Sequence, residues 1–298
     1  MPYEGLDHQG PCIRPPSEAN SILLQGTLGC SHNKCTFCET FKNKRFTIKG
    51  QAIWEKDLDF AARRLKGVKR LFIMDGDAFI MPMKRWEWLL TNIAEKLPWV
   101  ERISTYANAK GVALKSDSEL ARLRQLGLSF IYYGVESGHP EVLTRIRKGA
   151  DPDKLTREAI RLRKAGYVLS VTIINGLAGL ELSGEHARQT AEIMNSIEPE
   201  YIGALTLQII PGTPLFLEQQ CGDFVPLPGP MAVLKEIREM VAHLKLNNSF
   251  FTANHISNYL PIRARLPEDK QATLALLDQA LAGQIDIKPE WMRGGPTI

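Results

Sequence analysis

Ser129-Phe130-Ile131-Tyr132-Tyr133-Gly134-Val135 is a nearly continuous apolar and aromatic run of strand length, with no alternation of polar side chains. Strands of that kind are buried on both faces, as in parallel sheets covered by helices. On its N-terminal side, residues 116–126 repeat apolar side chains at intervals of three and four, the spacing of an amphipathic helix, and residues 152–165 do the same on its C-terminal side. The alternation continues outward. Further strands are expected at 22–25, 70–74, 102–106, 168–174 and 202–209, with helices near 51–66, 84–96 and 184–196. A strand–helix period of roughly 30–40 residues argues for repeated βαβ units and a parallel sheet. Six such units are too few for a closed eight-fold barrel, so the expected fold is α/β, an open, partial (β/α)6 TIM-like barrel.

Three segments follow from this. Residues 1–20 carry Pro2, Pro11, Pro15 and Pro16 and read as an irregular N-terminal arm, 21–215 as the barrel, and 216–298 as a C-terminal extension. In the extension, Pro226, Pro228 and Pro230 precede a helix near 230–246, and a last helix is expected near 267–282. Between them, the aromatic and polar stretch from Phe250 to Tyr259 suits either a cover over the barrel mouth or a structural strand and turn. The 298 residues are 44% hydrophobic, enough for a large core. With 37 Lys and Arg against 33 Asp and Glu, a net charge of +4 permits an anionic substrate or RNA without singling one out. Met1-Pro2-Tyr3-Glu4-Gly5 lacks the basic and apolar regions of a secretory signal. The most apolar stretch, 168–182, is too short and too interrupted to span a bilayer. Five cysteines do not make a disulfide scaffold, so a cytoplasmic protein with no membrane partner is expected.

Three of those cysteines, Cys30, Cys35 and Cys38, fall within nine residues, just after the apolar segment Ile22-Leu23-Leu24-Gln25. Three thiolates with no nearby fourth suit an iron–sulfur cluster that leaves one iron open to a ligand from outside the chain. Zinc is the rival: His32 could complete a four-ligand set, although its place two residues from Cys30 is awkward for a tetrahedral site. Burial as small hydrophobes fits poorly beside Gly29, Ser31, His32, Asn33 and Lys34. Cys12 and Cys221 are too scattered for a second cluster; either could donate a hydrogen atom, but burial is the simpler reading.

The Cys-x4-Cys-x2-Cys spacing after the first strand resembles the cluster loop of radical S-adenosylmethionine (SAM) enzymes, with one residue more than the usual first interval. Phe37 stands where that family often carries an aromatic near the adenine. Met74-Asp75-Gly76-Asp77, at the end of the second strand, resembles the family's Gly-Gly-Glu segment, which meets the cofactor's amino group; here Asp75 and Asp77 share that expectation. Tyr133-Gly134-Val135-Glu136-Ser137-Gly138 resembles the Gly-x-Glu-Ser-Gly run of the branch with oxygen-independent coproporphyrinogen oxidases and methylthiotransferases. The resemblance implies that Glu136 meets the ribose hydroxyls and that Lys148 or Arg147 meets the methionine carboxylate. Thr172-Ile173-Ile174-Asn175-Gly176-Leu177-Ala178-Gly179 is similar to a glycine motif whose backbone lies along the adenine, with Thr172 in place of its first glycine and Gly176 matching the second. Gln208-Ile209-Ile210-Pro211-Gly212-Thr213-Pro214 resembles the turn that ends the sixth strand.

The resemblance covers about residues 20–215 and implies a [4Fe-4S] cluster, SAM, and an electron donor such as flavodoxin or ferredoxin. It implies reductive cleavage of SAM to a 5′-deoxyadenosyl radical that takes hydrogen from a substrate, with the protein supplying position and exclusion of water. Tyr106 and Asn108, after the third strand, are further candidates to face the site. A small-molecule substrate is favoured. RNA or a peptide is the enzyme alternative, since Lys42, Lys44, Arg45 and Lys49 would form a basic rim beside the cluster. A zinc-stabilised binding module is the non-enzyme alternative, and a simple redox carrier would leave Asp77, Glu136 and Gly176 without a shared purpose. Neither the extra cysteines and RNA-binding domain of methylthiotransferases nor an N-terminal cobalamin module is evident.

Overall fold

The computed structural model describes residues 5–10 and 12–294. Pro2 and Pro11 of the expected arm, and the last four residues of the expected extension, lie outside the described residues. In chain order the elements are β1 (Ile22–Gln25), β2 (Thr27–Leu28), β3 (Thr47–Ile48), α1 (Gln51–Arg64), β4 (Arg70–Met74), α2 (Met83–Lys96), β5 (Arg102–Ala107), α3 (Ala109–Ala113), α4 (Asp117–Gln125) and β6 (Leu128–Glu136). They continue with α5 (Pro140–Arg145), α6 (Pro152–Lys164), β7 (Val168–Asn175), α7 (Gly179–Ile197), β8 (Tyr201–Thr206), α8 (Pro214–Cys221), α9 (Pro230–His243), β9 (Ser249–Thr252), β10 (Arg263–Leu266) and α10 (Lys270–Leu281). Hydrogen bonding orders eight strands β1-β4-β5-β6-β7-β8-β9-β10, while β2 and β3 form a separate pair. The expected α/β class, with parallel strands alternating with helices, is the one observed.

By their internal contacts the residues fall into two compact units, one drawn from 1–33, 41–133 and 158–169 and the other from 34–40, 134–157 and 170–298. In the first unit β1, β4, β5 and β6 pair in parallel, with Leu23 opposite Phe72 and Phe72 opposite Ser104. Side chains two apart along these strands share a face. Leu23, Phe72, Met74, Phe130 and Tyr132 gather on one such face, with Cys12, Tyr106 and Val168 packed against them. The other face takes helices: Trp54 of α1 is fully buried and its indole N–H donates to the Gln25 carbonyl at 3.2 Å.

One charged residue of the proline-rich arm is fully buried. Pro16–Glu18 forms a single 3-10 turn, and the fully buried Glu18 carboxylate accepts from Arg102 at 2.6 Å, Tyr132 at 2.6 Å and Ser104 at 3.0 Å. A buried carboxylate survives only with such partners.

In the second unit β7, β8 and β9 are parallel and β10 is antiparallel to β9, pairing Arg263 with Thr252. Within the segment from Phe250 to Tyr259, residues up to Thr252 thus belong to a strand, in line with the strand-and-turn alternative. Helix α9 packs on α7 and on α10, burying Val233, Leu234, Ile237, Met240 and Val241.

Candidate functional site

Asp75 and Asp77 follow the C-terminal end of β4 in the first unit, where both carboxylates are fully buried. Each uses one oxygen to hold a neighbour of Cys30. The Gly29 N–H donates to Asp75 Oδ2 at 2.9 Å, and the Ser31 hydroxyl donates to Asp77 Oδ2. The two acids therefore clasp the chain on either side of the first cysteine. Their other oxygens, Oδ1 in both, are buried and lack a hydrogen bond of good geometry, although the Gln25 side chain lies close enough to Asp75, and the Asn108 side chain to Asp77, to pull those carboxyls down. Burial pushes both carboxyls above the ordinary carboxylate range, against the Gly29 amide at Asp75 and the Ser31 hydroxyl at Asp77. Two buried acceptors so poorly satisfied suit a ligand that brings donors, above all an ammonium.

Gly76, between them, admits no side chain: a Cβ there would stand 2.4 Å from the ring of the buried Phe41. Phe41 belongs to the segment that returns after the cysteines. Its carbonyl accepts from the Asn33 side chain at 2.7 Å, and Lys42 donates to the Asn33 carbonyl at 3.2 Å, so the loop is tied across its own neck.

In the second unit Cys35 and Cys38 flank Thr36, whose backbone is held from two directions. Its N–H donates to the Ile146 carbonyl at 3.0 Å and its carbonyl accepts from the Leu215 N–H at 3.1 Å. The Cys38 N–H reaches the Cys35 carbonyl at 3.4 Å. All three clustered cysteines and Phe37 are partly exposed. A zinc ion bound through sulfur at about 2.3 Å needs its ligands around one point. Among the described residues no group of three or more His, Cys, Asp or Glu side chains is arranged to hold a single metal ion.

Glu136, the last residue of β6, adopts a left-handed backbone with φ 67°, a conformation that costs a non-glycine residue about 1–3 kcal/mol. Its Oε1 meets Lys148 Nζ at 2.9 Å, with the side chains 12% and 10% exposed. The structure thus brings together two residues expected to contact the cofactor separately. The carboxylate folds back over Gly134, where an added Cβ would lie 2.4 Å from Glu136 Oε1 and would displace the Glu136–Lys148 pair. The rest of the Glu-Ser-Gly run has local work. Ser137 accepts the His139 N–H at 3.0 Å, and the Gly138 N–H donates to Thr190 on α7 at 2.9 Å.

Thr172 and Gly176 differ in setting. Thr172 lies inside β7 opposite Gly203, whereas Gly176 follows the strand end with φ 81°. Gly176 borders a cavity of about 420 Å³ whose wall includes Asn175, Thr206, Leu207, Gln208 and Leu227, with Tyr259 and Arg293 from farther along the chain. That volume is within the usual range for small-molecule sites. Gln208 Oε1 is a buried acceptor without a partner, and its Nε2 donates to the Gly294 carbonyl at 2.8 Å. Arg293 holds the β8 end from the other side, donating to the Leu207 carbonyl at 3.1 Å and to Tyr259 Oη at 2.6 Å. Sequence reasoning missed Arg293 and Glu236, the acceptor of the Gly176 N–H at 2.6 Å. Both are single charged residues far along the chain, with no motif around them to mark them.

The remaining candidates find other surroundings. Asn108 caps α3, accepting the Gly111 N–H at 2.8 Å, and its side chain also lies against the Asp77 carboxyl. Tyr106 sits edge-on to Phe72 at 5.0 Å, and burial drives its phenol above the ordinary range. Burial also raises the Cys12 thiol, while Cys221 is exposed at the end of α8. Of the basic rim, Lys49 is buried and ion-paired to Asp7 at 2.6 Å, and Lys44 lies over the Phe41 ring. No helix among the described residues is long and apolar enough to cross a membrane.

Comparison with known proteins adds the following. The family model of the Radical SAM superfamily matches residues 24–192. A curated relative, a putative methylthiotransferase of Methanocaldococcus jannaschii, is 25% identical over 171 residues, covering 53% of this chain and 37% of that protein. Among solved structures, the radical SAM methyltransferase TsrM of Kitasatospora setae, with cobalamin and a [4Fe-4S] cluster bound, aligns over 86% of this chain and 52% of its own at 18% identity and a TM-score of 0.56. Coproporphyrinogen III oxidase of Escherichia coli aligns over 74% and 51% at 17% identity and a TM-score of 0.55. Methylornithine synthase aligns over 76% and 65% at 17% identity and a TM-score of 0.52. The chain thus spans about a third of the curated relative and between half and two thirds of these structures. At such identities the likeness to the solved structures is one of fold.

Proposed function

Because this chain belongs to the radical SAM superfamily, we propose that Cys30, Cys35 and Cys38 hold its [4Fe-4S] cluster and that the strand-end residues after β4, β6 and β7 hold SAM for hydrogen abstraction from a small molecule. The chain is an enzyme of that superfamily, and the cluster and SAM are its cofactors. When bound, they supply one-electron cleavage of the sulfonium to methionine and a 5′-deoxyadenosyl radical that takes a hydrogen atom from the substrate.

The observation that carries the assignment is the pair of buried, poorly satisfied oxygens at Asp75 and Asp77. In this reading they receive the methionyl ammonium, while their Oδ2 atoms keep the Cys30 segment in place. Glu136, held by Lys148, offers its second oxygen to the ribose, and Lys148 stands ready for the methionine carboxylate. Phe37 and the backbone around Thr172 and Gly176 would contact the adenine, with Gln208 Oε1 as a further acceptor. Residues 21–215 would supply the cofactor-binding barrel and 216–298 its C-terminal extension.

A small molecule is favoured over RNA because the basic rim is partly spent inside the protein. Lys49 is buried against Asp7, Lys42 donates to the Asn33 carbonyl and the Lys44 ammonium is buried over the Phe41 ring, so that of the four Arg45 is the exposed cation.

The test is anaerobic reconstitution with iron and sulfide, reduction, and addition of SAM. About four irons per chain and formation of 5′-deoxyadenosine are expected. Cys35→Ala should lose the cluster and all cleavage; a variant that keeps both would overturn the ligand assignment. Stoichiometric zinc with no cleavage by the wild type would overturn the reading as a whole.

A further inference from the structure

The hydrogen bond that seats Gly176 comes from outside the matched span 24–192. Glu236, on the buried face of α9, accepts the Gly176 N–H through Oε1 at 2.6 Å, and its side chain is 0% exposed. Its Oε2 accepts from the Ser183 hydroxyl on α7. One turn farther along α7, His186 Nδ1 lies 3.3 Å from the same Oε1. Three groups of the β7–α7 unit thus converge on one carboxylate delivered by α9. Val233, one turn earlier on that helix, lines the cavity that Gly176 borders.

Burying a carboxylate is costly, and satisfying one backbone N–H needs only a neutral acceptor. An apolar side chain would have sufficed to cover α7. What the carboxylate adds is a fixed position for the peptide leading into Gly176, whose N–H lies one residue past the end of β7 and pairs with Glu236. On the cavity side the glycine is not crowded: an added Cβ would meet Leu207 and Leu227 at 3.7 Å, ordinary contact distance. Glu236 therefore holds the loop from behind while the cavity side stays uncrowded.

We infer that Glu236 is a positioning residue for the cofactor: by holding Gly176 from α9, it sets the surface against which the adenosine part of SAM rests. This rests on the reading of Gly176 as a cofactor contact. Reach should matter more than charge. Glu236→Gln keeps an oxygen at the same distance from the Gly176 N–H, whereas Glu236→Asp keeps the charge and withdraws the acceptor by one methylene.

The experiment uses the reconstituted protein and S-adenosylhomocysteine as probe, with Kd measured by equilibrium dialysis and hydrogen exchange followed over residues 175–179. In the wild type the probe should protect 175–179. Glu236→Asp should raise Kd about tenfold, the equivalent of one lost charge-assisted hydrogen bond. Glu236→Gln should stay within about threefold of wild type, and both variants should keep the wild-type iron content. If the wild type binds the probe without protecting 175–179, the Gly176 reading fails and takes this inference with it. If protection is seen but Glu236→Asp binds as tightly as wild type, or the two variants lose equally, Glu236 is structural only and the inference alone is overturned.

Discussion

Asp77 is a fully buried carboxylate that takes the Ser31 hydroxyl on one oxygen and has the neighbouring Asn108 side chain as the other hydrogen-bonding group that offsets its burial. Because burial raises its folded pKa above the unfolded value of 3.8, its contribution to stability is whole below that value and is lost as pH rises through the folded pKa. The protein without cofactor at neutral pH carries that loss, which a bound ammonium would offset. Asp77→Asn should therefore raise the thermal midpoint of the cofactor-free protein at neutral pH, with the gain shrinking as pH falls toward 3.8. In the same variant the affinity for SAM should fall about tenfold or more, for want of a charge-assisted bond. Thermal melts across pH, paired with dialysis, check both; a stabilised variant that binds SAM as well as wild type would remove Asp77 from the site. The sequence marks Asp77, Cys30, Glu136 and Gly176 as candidates because each lies near a strand end inside a short motif. Glu236 and Arg293 carry no such mark. One charged residue on an amphipathic helix reads as solvated, and only the fold shows Glu236 facing Gly176, 60 positions away.

Among the elements, length decided what could be read. Strands β1 and β4 fall where the apolar runs place them, and helices of three turns or more declare themselves by periodicity. Helices α3 and α5, of 5 and 6 residues, are too short to show a period, and β9 and β10 have only 4 residues each. Helix α8 was hidden by its prolines, although Thr213 caps it by accepting the Phe216 N–H at 3.2 Å and Pro214 opens it. The turn between β6 and α5 shows how closely elements approach. At Gly138 a Cβ would stand 2.2 Å from the Gln189 carbonyl oxygen on α7, so neither side can yield without moving backbone. Gly138→Ala should cost about 3 kcal/mol or more. Gly212, with φ 90° and nothing within 4 Å of an added Cβ, provides the contrast: alanine there should cost only the strain of the left-handed backbone, about 1–2 kcal/mol. Urea unfolding of the two variants side by side tests this, and equal losses would mean that the contact with α7 carries no weight.

At the scale of the molecule, the family match ends at residue 192, yet the sheet and its cover do not. Beyond that point β8 pairs with β7, β9 pairs with β8, and α9 lies on α7. Helix α9 alone buries five large apolar side chains, Val233, Leu234, Ile237, Met240 and Val241. At roughly 1.5–3 kcal/mol each, their burial is worth on the order of 10 kcal/mol, comparable to the whole stability of a typical domain. The extension proposed for 216–298 is then a part of the folding unit and not a module added to a finished barrel. A chain ending at residue 215 should fail to fold, appearing in aggregates or as a species without a cooperative thermal transition. A cut in the Pro- and Gly-containing segment 222–229, where Val225 is exposed, should by contrast leave both fragments together, because the contacts of α9 survive the break. Limited proteolysis followed by native gel filtration separates these cases. Co-elution of the nicked halves, beside collapse of the truncated chain, is the expected pair of results. A soluble, cooperatively melting 1–215 fragment would show instead that the strands up to β8 hold themselves, and that the apolar face of α9 contributes far less than its buried area implies.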